Sequence, residues 1–103
     1  MTDRAALEQT VADLQRVSQQ LAALQAQVQE IEGTLNHLST QDSSRAIYQQ
    51  VGPLLVEVED AEALQTSLTE TRDQIAEAVG ILEGREQELR TAYETAMKQF
   101  EAS

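Results

Sequence analysis

Apolar residues recur with a seven-residue rhythm in the N-terminal part of the chain. With Leu7 at position a of a heptad, the a positions are Leu7, Leu14, Leu21, Val28 and Leu35, and the d positions are Thr10, Val17, Leu24, Ile31 and Leu38. Nine of these ten are apolar and the spacing never slips. A helix with such a stripe buries it against another helix, so residues 3–40 are expected to form one arm of a coiled coil. Asp3 at its start complements the positive end of the helix dipole.

The C-terminal segment reads as a second helix over 60–101, with Asp60 as its N-cap. Its early seam is Ala61, Leu64, Leu68, Thr71, Ile75, Ala78 and Leu82. Beyond Ile75 a second stripe takes over, made of Val79, Leu82, Leu89, Tyr93, Ala96 and Phe100. The two stripes predict an apolar face that rotates around the helix, as where a supercoil locally unwinds.

Between the helices the pattern changes. Gln41-Asp42-Ser43-Ser44 is a polar loop signal. Two short runs follow, Arg45–Val51 and Leu54–Glu59, with Gly52-Pro53 between them. β-Branched and aromatic residues rise in both, which predicts a β-hairpin over 45–58. In the second run Leu54, Val56 and Val58 alternate with Leu55, Glu57 and Glu59, so one face is apolar and the other partly wet. Two helices of similar length joined by a short connection fold back antiparallel; Leu7 is expected beside Tyr93 and Leu38 beside Leu64. The expected fold is therefore mainly α: one domain over 1–103, an antiparallel two-helix coiled-coil hairpin with one β-hairpin at the bend. A lone hairpin is marginal in water and its edges recruit other strands. The hairpin is expected to pair with those of other subunits.

Composition supports long helix rather than a packed globule. Aromatics are few, namely Tyr48, Tyr93 and Phe100, while the good helix formers Gln and Glu are abundant. Eighteen acidic residues against seven basic ones give a formal net charge of −11. This disfavours binding to nucleic acid or to an anionic membrane, both of which need clustered Lys and Arg. There is no Cys, no apolar run of membrane-spanning length and no signal-like N-terminus, so the expected location is the cytoplasm. Lys98 is the single Lys. Strong acidity with little Lys suits a salty cytoplasm, where screening relieves self-repulsion.

No catalytic constellation is present, and neither a metal nor a cofactor is expected. His37 is the only His and has no spaced partner. The carboxylates follow solvated helical positions. No Gly-rich phosphate loop occurs, and Gly80–Gly84 is a polar GxxxG, which lacks the apolar membrane setting that gives the motif weight. The absence of a pocket-forming core argues against an enzyme. The residues that invite a role lie at the helix ends: Leu7 and Val11 on one arm, Tyr93, Met97 and Phe100 on the other. Apolar residues at a fraying tip can touch exposed apolar segments of another protein, and Met is well suited to it. Closing the coiled coil is their alternative use.

The stretch Tyr48-Gln49-Gln50-Val51-Gly52-Pro53-Leu54-Leu55-Val56, set between two heptad helices, resembles the β-class subunits of prefoldin. The family pattern at the bend is carried by Tyr48, Val51, Gly52, Pro53, Leu55 and Val56. The resemblance implies an ATP-independent holdase chaperone in which two α-class and four β-class subunits assemble through a β-barrel platform. It assigns Ile47, Tyr48, Val51, Gly52, Pro53, Leu54, Val56 and Val58 to that platform. It assigns Leu7, Val11, Tyr93, Met97 and Phe100 to the tips that hold unfolded clients before transfer to a group II chaperonin. Acidity would suit a halophilic archaeal source. A coiled-coil adaptor joining two folded proteins is the competing reading.

Overall fold

The computed structural model describes residues 4–102; Asp3 lies outside them. Four elements follow one another: α1 (Arg4–Thr40), β1 (Tyr48–Val51), β2 (Leu54–Glu57) and α2 (Ala61–Ala102). The two helices pack on each other, and the chain with its ribbon extends over 70 × 25 × 16 Å. All ten heptad positions of α1 are buried or half-buried, and its neighbouring surface positions are mostly exposed. The apolar stripe therefore does what its period requires: it covers itself with the partner helix.

On α2 the structure corrects the rotating stripe. Ala61, Gln65, Leu68, Arg72, Ile75, Val79, Leu82, Glu86, Leu89, Tyr93 and Ala96 are buried or half-buried at alternating steps of four and three, and Phe100 continues the series. That is one heptad register throughout. Thr71 is exposed, and Leu64 and Ala78 flank the seam. The physical reason is that Gln65, Arg72 and Glu86 occupy seam positions. Long side chains are tolerated at such half-buried positions because an aliphatic stem can be covered while the polar end stays at the edge.

Burial is deepest in the outer half of the rod. Val17, Leu21 and Leu89 are the buried apolar residues among those described. Beside them Ser18 Oγ donates to Glu86 Oε2 across the helices at 2.9 Å. This bond goes with an antiparallel alignment that places Val11 level with Tyr93 and Leu7 level with Met97. The expected Leu7–Tyr93 pairing is thus one helical turn out of step.

The bend is built from local hydrogen bonds. Ser39 Oγ and Thr40 Oγ1 donate back to Asn36 O, occupying a carbonyl near the end of α1. Asp42 Oδ1 then accepts from Ser44 N at 3.0 Å and Asp42 O from Arg45 N at 3.0 Å, turning the chain. At the other side Asp60 caps α2, its Oδ1 accepting from Ala63 N at 3.0 Å. β1 and β2 pair antiparallel in the register Tyr48↔Glu57, Gln49↔Val56, Gln50↔Leu55 and Val51↔Leu54. Gly52 has φ 60°. Glycine with positive φ followed by Pro, whose φ is fixed near −65°, matches a two-residue type II′ turn, the hand that suits strand twist.

Candidate functional site

The pairing register decides which side chains share a face. Gln49, Val51, Leu54 and Val56 lie on one side of the ribbon, and Val58 N donating to Ile47 O at 2.8 Å adds Ile47 and Val58 to it. Ile47, Val51, Leu54, Val56 and Val58 thus make an apolar face interrupted only by Gln49. Tyr48, Gln50, Leu55 and Glu57 form the opposite side. Tyr48 is therefore separated from the other apolar platform candidates, and Gly52 and Pro53 form the turn.

Among the described residues this sheet has two strands and no helix covers its end. Leu54 is 65 % and Val56 49 % exposed. Leu55, on the other face, is 71 % exposed. Ile47 and Val58, nearer the helices, are half-buried. Both strand edges are open. Such an arrangement binds other strands through the backbone and other apolar side chains through its face.

Where the ribbon meets the helices, a cleft of about 500 Å³ opens. Leu38, Ile47, Val58 and Ala61 supply apolar lining, and Asp42, Glu57, Glu59, Glu62 and Arg45 supply charge. The Asp42 carboxyl is held below the usual carboxylate range, chiefly by the Ser44 backbone N–H and secondarily by its side chain.

At the far end, Leu7, Val11, Tyr93 and Met97 are half-buried, and Phe100 is 47 % exposed. Phe100 continues the seam register of α2, as the second stripe of the sequence places it, with Met97 beside it. The same residues that close the rod therefore leave apolar area at its tip. Two features escaped sequence reading: the Ser18–Glu86 pair, and the exposed Ile81 on the shaft (68 %). Among the described residues there is no cluster of three potential metal ligands and no helix long and apolar enough to cross a membrane.

A long helical hairpin with an uncovered β-ribbon at its bend is the form of a subunit, not of a self-sufficient globule. The prefoldin subunit family model matches residues 4–102, and the chain belongs to that family. Family membership implies assembly with other prefoldin subunits. The fold is similar to that in the crystal structure of the prefoldin beta subunit from Thermococcus strain KS-1, with a TM-score of 0.83 over 95 % of this chain and 85 % of that one. Sequence identity is 22 %, so the likeness is one of fold. No curated protein sequence matches the chain.

Proposed function

We propose that this protein is a β-class prefoldin subunit that works as an ATP-independent holdase. The observation that carries the reading is the uncovered ribbon, with Ile47, Val51, Leu54, Val56 and Val58 on one face, at one end of a chain 70 Å long. In this reading the ribbon joins those of other subunits, including an α-class subunit, in a hetero-hexamer. The rods then project from the platform, and Leu7, Val11, Tyr93, Met97 and Phe100 hold apolar segments of unfolded proteins. A group II chaperonin receives the client. The setting is the cytoplasm, and no catalysis, nucleotide, nucleic acid or membrane takes part.

The test is suppression of aggregation. The assembled subunits should hold a chemically unfolded protein in solution without nucleotide, for clients of unrelated sequence. Activity restricted to one folded partner would instead identify a coiled-coil adaptor.

A further inference from the structure

The charge of this chain is not spread evenly. Between Glu30 and Asp73 it carries nine carboxylates and two arginines, so this end holds −7 of the total of −11. The ion pairs lie mostly elsewhere: Arg4–Glu8, Arg16–Asp13, Arg85–Glu88 and Arg90–Glu86 are on the shaft and tip, and Arg72–Asp73 alone is in the acidic end. Among the described residues no cation pairs with Glu57, Glu59 or Glu62. These three border the cleft beneath the sheet, whose apolar lining includes Leu38, Ile47 and Val58.

The ribbon is thus apolar on one face, while Glu57 on its other face, Glu59 just beyond it and Glu62 at the start of α2 make the cleft at its helix end acidic. A second copy of the chain covering it would bring two net charges of −7 together, with Arg45 the only cation of the bend. A strand carrying Lys or Arg meets no such repulsion. Its long side chains can lay their stems on the apolar lining of the cleft and their heads against Glu57, Glu59 and Glu62. Complementary charge of this kind selects partners by penalising the like-charged alternative.

We infer that the sheet takes a cationic strand from a different chain, and that copies of this chain cover each other's sheets only when salt screens the acidic ends. The inference rests on the reading of the sheet as an assembly surface and adds the chemistry of what covers it. Screening sets the salt range, since the Debye length falls from about 10 Å at ~0.1 M to about 3 Å at ~1 M.

The experiment uses the full chain with two probes, a short alternating Lys–Val peptide and its Glu–Val counterpart, followed by calorimetry at low and high salt. The Lys–Val peptide should bind at low salt and weaken as salt rises; the Glu–Val peptide should not bind. Replacing Glu57, Glu59 and Glu62 together by Gln should weaken Lys–Val binding about tenfold. Sedimentation should show that variant self-associating at lower salt than the parent. Equal binding of both peptides, binding of neither, or self-association unmoved by the triple substitution overturns charge selection. Val56→Asp separates the two readings. If it abolishes association while the triple variant behaves as the parent, the assembly surface stands and charge selection falls. If it also changes nothing, both fall. Circular dichroism of each variant checks that helix content is retained.

Discussion

Ser18 and Glu86 meet through a 2.9 Å hydrogen bond across the coiled coil, 68 residues apart in sequence. Glu86 occupies a seam position and its side chain is 21 % exposed. Its other oxygen lies 3.6 Å from Arg90 Nη2, one turn along. A carboxylate in the seam is tolerated because both of its oxygens have a donor facing them. It also favours the one alignment of the helices in which Ser18 is level with it.

Ser18→Ala should therefore destabilise the protein by about 1 kcal/mol, because Glu86 loses a partner in a half-buried position. Glu86→Leu should raise the stability of the rod by completing the apolar seam. In a double-mutant cycle followed by urea unfolding, the two positions should show a coupling of at least about 0.5 kcal/mol. Additive effects would mean that the bond contributes nothing and that the register is held elsewhere.

The sheet face gives a second expectation. Val56 is 49 % exposed in the single chain, so a charge there costs little until another surface covers it. Val56→Asp should leave helix content intact and abolish assembly, and Val58→Asp should do the same with a larger effect on the single chain, since Val58 is already half-buried. Gly52→Ala should weaken the ribbon by about 1 kcal/mol or more through its positive φ. Sedimentation that still shows the parent assembly for Val56→Asp would remove the sheet from the assembly surface.

Asp42 offers a test of the bend by pH. Its carboxylate accepts from Ser44 N, which lowers its pKa. A lowered folded-state pKa means that the charged form is the bound form. The contribution is present above the unfolded-state pKa and is lost as pH falls through the lowered one. The Asp42 carboxyl carbon followed by NMR should titrate below an ordinary Asp. Ser44→Ala should recover only part of the difference, because the backbone N–H is the larger cause. Complete recovery would assign the effect to the hydroxyl.

The fold was legible where one residue type settles the local physics. The α1 heptad consists almost wholly of aliphatic residues, so its period shows. The ribbon announces itself by Gly52-Pro53 and by the alternation from Leu54 to Val58. The α2 register was obscured because Gln65, Arg72 and Glu86 sit in the seam, and reading apolar letters alone moves to Leu64, Thr71 and Ala78. The relative level of the helices is not legible in the heptads alone, because it depends on the loop length and on Ser18 meeting Glu86. The cleft was not legible at all: its walls come from the end of α1, the loop 41–46, the helix-side end of the ribbon and the start of α2.

The tips carry the functional proposal and allow a clean removal. Val11 is level with Tyr93, so deleting Met1–Val11 together with Tyr93–Ser103 cuts both arms at the same height. What remains includes the buried Val17, Leu21 and Leu89, the Ser18–Glu86 bond and the whole sheet. The truncated chain should therefore fold and assemble as the full chain does. It should lose the ability to keep an unfolded protein in solution, since Leu7, Val11, Tyr93, Met97 and the 47 % exposed Phe100 are gone. A milder variant, Met97→Ser with Phe100→Ser, should lose part of that ability at unchanged assembly, because these two residues contribute flexible and exposed apolar area at the tip. Light scattering of an aggregating client, with intact, truncated and doubly substituted assemblies at equal concentration, makes the comparison. Equal protection by all three would move client contact away from the tips, toward the shaft around the exposed Ile81 or the sheet.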